Sequence, residues 1–201
     1  MYLTKINLDL KKQGTARAFY DRGRFHSLIE SCFSGERQHA LWRLEREESH
    51  CYTILLMSRE IPNLTRLESA VGKGDGKTID YDRYLDFVSQ DEKVLQFRIS
   101  VNPTVCWDGA RIPLNLRRTD RHPYCAEDWL KDRMKNCGAE VLESEVIDNR
   151  TISIKKGKGK IFKVTYDGTL RVIDQNRFRD LLENGIGHGK AYGCGLLSVM
   201  V

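Results

Sequence analysis

Val94-Leu95-Gln96-Phe97-Arg98-Ile99-Ser100-Val101 places Leu95, Phe97, Ile99 and Val101 on one side of an extended chain, with Gln96, Arg98 and Ser100 on the other. This alternation reads as a half-buried strand, and Asn102-Pro103 ends or bends it. Before it lies one round of elements. Residues 2–9 predict a strand and 11–17, around Gly14, a turn. A helix follows from Arg17 to Phe33, with Phe19, Leu28, Ile29, Cys32 and Phe33 on one stripe and Gly35 as its stop. Strands at Ala40–Arg46 and Cys51–Ser58, a short helix at Pro62–Ala70 and a strand at Thr78–Tyr81 complete the round.

The second round begins with the quoted strand. A hairpin is expected over Thr104–Leu114. A helix over Ala126–Asn136, with Trp129, Leu130, Arg133 and Met134 at helical spacing, ends at Gly138. Ala139–Ile147 and Thr151–Lys156 are extended. Lys160–Tyr166 and Thr169–Ile173 follow, separated by an Asp167-Gly168 turn. Asp174 caps a helix over Gln175–Glu183, and the last strand is Leu196–Val201. Two successive βαββαβ units define an α+β protein of two tandem ferredoxin-like (RRM-like) domains, 1–88 and 92–201, with the linker near 82–92.

The 201 residues suffice for two small domains with cores of their own. Charged residues make up 30% and the formal charge is +5, a moderate excess whose meaning depends on where it clusters. No stretch approaches the roughly twenty apolar residues of a membrane span. The opening Met1–Leu8 alternates and carries charge, unlike a secretory leader, so a cytoplasmic protein is expected. The six cysteines form no CxxC pair, which argues against a structural zinc site and for reduced thiols.

Three basic features stand out. Gly185-Ile186-Gly187-His188-Gly189-Lys190-Ala191-Tyr192-Gly193-Cys194-Gly195 holds five glycines in one loop beside a lysine. Such a loop lets another chain approach closely and aims backbone N–H groups at phosphate. It lacks the ending of a phosphate-binding Walker loop and follows a helix rather than a strand, so it fits no nucleotide fingerprint. The plain alternative is a structural loop without a ligand. Ile152–Val164 carries five lysines and no acid, which suits a hairpin tip gripping phosphates; a solvated hairpin whose lysines guard an edge is the alternative. Arg117-Arg118-Thr119-Asp120-Arg121-His122 offers guanidinium forks, or an exposed loop paired with Asp120. Arg17, Arg22 and Arg24 add charge to the first helix. His26 on that helix and His188 in the glycine loop are candidates for proton transfer near neutral pH. No histidine spacing argues for a metal.

The stretch GIGHGKAYGCGLL at Gly185–Leu197 resembles the C-terminal glycine-rich loop of CRISPR-repeat endoribonucleases, in the form typical of the CasE family. Met1–Lys5, Leu41–Leu44, Phe97-Arg98 with Asn102-Pro103, Arg111–Leu114, Trp129-Leu130 and Asp167–Val172 are similar in order and spacing. The resemblance implies binding to the stem-loop of a CRISPR repeat transcript and cleavage at the base of its 3′ side. It further implies that the enzyme stays on its product within a Cascade complex and needs no metal or other cofactor.

His26 matches the family's catalytic histidine. Many relatives carry tyrosine where this chain has Gly23, leaving Arg22, Ser27, Tyr20 or a hairpin lysine to take over. The RNA-binding residues implied are Arg22, Arg24, Arg117, Arg118, Lys155, Lys156, Lys158, Lys160, Gly187, Gly189, Lys190 and Gly193. The alternatives are a subunit that binds the hairpin without cutting it and a nucleotide-binding regulator.

Overall fold

A computed structural model of the chain describes residues 1–9, 22–34, 39–46, 51–71, 75–154 and 159–201. The chain divides into two compact units. The first comprises Met1–Arg83 with Ser153–Lys160 and Lys190–Gly193; the second comprises Tyr84–Ile152, Ile161–Gly189 and Cys194–Val201. The sequence predicts two uninterrupted stretches, 1–88 and 92–201. The structure instead divides the chain between Arg83 and Tyr84 and assigns two short later segments to the first unit.

The first unit holds β1 (Tyr2–Asp9), α1 (Arg22–Glu30), β2 (Leu41–Arg46), β3 (Cys51–Ser58), α2 (Thr65–Val71) and β4 (Asp75–Asp80). Its sheet has the order β2-β3-β1-β4, and every pairing is antiparallel. Period-two alternation decides the faces: Thr4, Ile6 and Leu8 are buried while Lys5 is exposed. Over its nine described residues α1 is held in place by packing. Phe25 and Ile29 supply it, fully buried in one cluster with Ile6, Leu8, Trp42, Ile54 and Leu56. The Phe25 and Trp42 ring centroids lie 4.9 Å apart. Part of the predicted helix, including Phe19, lies outside the described residues.

The helix α3 (Asp82–Val88) occupies the expected linker. Asp80 Oδ1 accepts from the Asp82 N–H at 3.0 Å, and Leu85 and Val88 are buried. Two apolar positions on one turn are too faint a pattern to announce a helix. Then follow β5 (Val94–Val101), β6 (Thr104–Trp107), β7 (Ala110–Pro113), α4 (Ala126–Asn136), β8 (Ala139–Ile154), β9 (Gly159–Val172), α5 (Gln175–Asn184) and β10 (Leu197–Met200). The larger sheet of the second unit has the order β10-β5-β9-β8, with β5 antiparallel to both neighbours. Its core combines Leu95, Phe97, Ile99 and Val101 with Trp129, Leu130 and Met134 of α4 and Phe178, Leu181 and Leu182 of α5.

The Asp167-Gly168 turn is corrected: both residues lie inside the continuous strand β9. Gly168 serves close approach instead, since a Cβ there would stand 2.2 Å from the Glu143 carbonyl oxygen and 2.8 Å from Phe97 Cε1. Asp167 receives both arms of the Arg98 guanidinium at 2.6 Å, from its register partner on β5. Likewise β8 runs unbroken where the sequence suggested two extended pieces.

Candidate functional site

The placement of His26 begins with its neighbours on α1. Burial of Phe25 and Ile29 turns the face between them partly outward, leaving the His26 side chain 19% exposed. One turn later Glu30 brings Oε1 to 4.0 Å from His26 Nδ1, an ion pair whenever the ring is protonated. Ser27 is exposed beside it. Arg22 and Arg24 lie in the first turn of the same helix.

The glycine loop reaches this helix. Its Lys190–Tyr192 segment forms a 3₁₀ turn that packs on α1 and β2 within the first unit. Gly193 closes the turn, donating its N–H to the Lys190 carbonyl at 3.2 Å. It sits at φ +82° against the Trp42 indole, where a Cβ would be 2.8 Å from Cζ3. Gly193, Trp42 and Phe25 thus form a stack of direct contacts ending beside His26. His26, Lys190 and Gly193, far apart in sequence, are brought to one region; Trp42 and Glu30 join them, and sequence reasoning did not single out either one. Aromatic spacing gave no signal for Trp42, whereas the i, i+4 relation of Glu30 to His26 was available.

In the second unit Gly187 and Gly189 also take positive φ, +73° and +89°. Gly187 lies under Trp129 at a distance that leaves no room for a Cβ, while Gly189 accepts from the Cys194 N–H at 3.3 Å. Gly195 donates to the Ser100 carbonyl at 2.7 Å, tying the loop's end to β5. The backbone N–H groups of Gly193, Cys194 and Gly195 are therefore engaged within the protein, so the loop's glycines serve packing as well as any ligand.

The other basic residues divide. Lys160 lies at the start of β9 and is exposed, and Arg117 is exposed in the loop before α4. Arg118 forks onto the Asp128 carboxylate, with Nε at 2.9 Å. Asp128 also accepts from the Cys125 N–H at 2.9 Å, closing a capping box at the start of α4. The guanidinium holds the Asp128 carboxyl well below the usual carboxylate range. The Arg118 fork is thereby committed to the helix terminus. Lys155, Lys156 and Lys158 lie outside the described residues. Cys32, Cys125 and Cys194 are buried thiols, while Cys106 is exposed. Among the described residues no helix is long and apolar enough to cross a membrane.

A short helix presenting a partly exposed histidine, braced by a glycine loop from the end of the chain, is the arrangement that comparison with known proteins must explain. The family described as CRISPR associated protein matches residues 1–200, so the chain is a CRISPR-associated protein. It is 31% identical over 156 residues, 73% of each chain, to the CRISPR system Cascade subunit CasE of Escherichia coli (strain K12). It is 26% identical over 220 aligned positions, 99% of each chain, to the CRISPR-associated endoribonuclease Cse3 of Thermus thermophilus. The chain belongs to the CasE family. In fold it is similar to the structure of Thermus thermophilus Cse3 bound to an RNA representing a pre-cleavage complex, with a TM-score of 0.83 over 100% of this chain and 98% of that one at 23% identity.

Proposed function

We propose that this chain is an endoribonuclease that cuts the stem-loop of CRISPR repeat transcripts without a metal, keeps hold of the product hairpin and works in the cytoplasm with other Cascade subunits. Each unit is read as a ferredoxin-like domain, supported by the order β4-β1-β3-β2 in the first and the equivalent β10-β5-β9-β8 in the second. The observation that carries the catalytic reading is the position of His26: partly exposed, beside a carboxylate, on a helix that the Lys190–Gly193 turn braces.

In the proposed reaction the ribose 2′-OH loses its proton and attacks the adjacent phosphate. The P–O5′ bond breaks, the 5′-oxygen takes up a proton, and the products end in a 2′,3′-cyclic phosphate and a 5′-OH. An imidazole can serve as the base or the acid, a contribution of about 10²–10⁴-fold. Glu30, 4.0 Å from His26 Nδ1, pairs with the ring when it carries the proton, and Lys190 supplies positive charge toward the phosphorane. Arg22, Arg24, Arg117, Lys160 and the lysines at 155, 156 and 158 are assigned to the RNA backbone, where contacts fix register and make affinity salt-dependent. Arg118 acts through α4.

The test is a labelled repeat hairpin incubated with the protein in EDTA. Site-specific cutting that persists in chelator and falls at least a hundredfold in His26→Ala, with hairpin affinity retained, is the expected result. Gly23, which replaces the tyrosine of many relatives, favours one rival: tight binding with the RNA left intact would make the chain a hairpin-holding subunit only.

A further inference from the structure

The larger sheet of the second unit ends on two unlike edges. β10 is four residues long, and the Tyr84 hydroxyl of α3 donates to its Val199 carbonyl at 3.0 Å. At the other end β8 runs for sixteen residues, and from Glu140 to Thr151 none of them is buried. We propose that the outer edge of β8 over residues 140–149 is a docking strand for another protein subunit, which adds an extended, basic segment to the sheet. The proposal rests on the reading that this chain works with other Cascade subunits. It deepens that reading by naming the surface and the chemistry of the partner.

A terminal strand uses only one side of its backbone on its neighbour. β9 takes one row of N–H and C=O groups from β8; among the described residues the other row makes no hydrogen bond within the chain. Proteins ordinarily blunt such an edge with brevity, proline, lysine or a covering element. Residues 139–149 contain neither proline nor lysine, and sixteen residues far exceed the roughly five or six of an average strand. Leu142, Val146 and Ile147 are exposed. Alternation sends Val146 and Ile147 to opposite faces, yet both are open, so neither face of the strand is covered at that point.

Charge selects the occupant. Glu140, Glu143, Glu145 and Asp148 fall in a stretch, 140–148, that holds no base. Glu140 lies 3.7 Å from Arg171 on β9, and the Thr169 hydroxyl donates to Glu143 at 2.7 Å, so both carboxylates are held against the sheet. Glu145 makes no ion pair among the described residues. With Glu143, Ser144, Asp167 and Gly168 it lines a cavity of about 320 Å³, and the buried Ser144 Oγ has no hydrogen-bond partner. An ammonium or guanidinium group entering this notch meets carboxylates and an unused hydroxyl.

RNA phosphate would meet like charge here, which separates this edge from the basic residues assigned to the hairpin. A second copy of the chain would bring two sets of these four carboxylates together, with only Arg150, already paired with Asp148, to offset them. A protein strand carrying lysine or arginine at alternate positions meets every requirement. Its backbone completes the outer row, its cations reach the carboxylates, and its apolar side chains cover Leu142, Val146 and Ile147.

The probe is the set of remaining Cascade subunits, purified together without this chain and mixed with the full-length protein carrying the repeat hairpin. Hydrogen exchange read by mass spectrometry follows residues 140–149. About half of these amides should exchange fast in the isolated chain and become protected in the assembly, because alternate N–H groups face outward. Glu145→Lys should weaken entry into the assembly about tenfold, a gap that closes as salt rises. Hairpin affinity, hairpin cutting and melting temperature stay unchanged in that variant. Unchanged exchange over 140–149 in the assembly, or full affinity of Glu145→Lys for the other subunits, overturns the docking edge. A stable dimer of the isolated chain that protects the same residues also overturns it, and assigns the edge to a second copy. A native chain that fails to join the other subunits at all refutes the Cascade reading, and the docking edge with it.

Discussion

Replacing Gly193 with alanine probes the brace behind His26 directly. Two separable penalties are expected. The left-handed backbone at φ +82° disfavours an L-residue by about 1 kcal/mol. The added methyl would stand 2.8 Å from Trp42 Cζ3 and 3.1 Å from Cε3 and Cη2, inside contact distance of a ring that is itself buried. Overpacking of this kind costs about 1–3 kcal/mol. Together they amount to about 3 kcal/mol, a fall in melting temperature of roughly 6–12 °C for a chain of this size. Trp42→Leu separates the parts. Alone it opens a cavity and destabilises by about 2–4 kcal/mol. Combined with Gly193→Ala it removes the clash, so the double variant should be about 1–2 kcal/mol more stable than the sum of the single changes, while the backbone penalty remains. Urea denaturation followed by circular dichroism on all four proteins supplies the cycle. Strict additivity would refute the contact between loop and indole, and with it the claim that the glycine loop braces α1.

Three further outcomes follow from other contacts. Gly168→Ala forces a Cβ to 2.2 Å from the Glu143 carbonyl oxygen, which cannot rotate away, so urea denaturation should show a loss of about 3 kcal/mol or more, with strand pairing impaired. Asp174→Ala removes the acceptor for the Asn176 and Arg177 N–H groups, at 3.1 and 3.0 Å, and should lower stability by about 1 kcal/mol in the same assay. Burial pushes the Cys32 thiol up to about 11 against a backbone hydrogen bond at Leu67 that lowers it, from an ordinary value of 9.0. Below pH 9 both folded and unfolded chains keep this proton; between 9 and 11 only the folded chain does. Stability should therefore fall by about 2–3 kcal/mol across that window, and denaturation of Cys32→Ala should show a correspondingly shallower alkaline slope.

How far the sequence disclosed this protein depended on how local each signal was. VLQFRISV, CYTILLMS and the α4 and α5 segments carry their own periodicity and end signals, and their elements lie within a residue or two of expectation. Asp167-Gly168 misled because a glycine that admits a neighbouring backbone looks, in one dimension, like a glycine that turns the chain. The helix α3 was hidden because only Leu85 and Val88 of its seven residues are buried. At the candidate site, His26 was visible from residue type and resemblance. The stack from Gly193 through Trp42 to Phe25 was not, because it joins positions with no sequence relation. Arg118 looked like its neighbours Arg117 and Arg121, yet only its fork finds Asp128 at the mouth of α4.

The turn that covers Trp42 has a temporal consequence. During synthesis the strands and helices of residues 1–83 leave the ribosome long before Lys190–Gly193 exists, so the indole stays uncovered through most of translation. The first unit, though mostly N-terminal, is among the last parts of the molecule to mature. A nascent chain halted before Lys190 should remain open to proteases at the helix bearing His26, and the site around that histidine should stay unbraced until the turn has emerged.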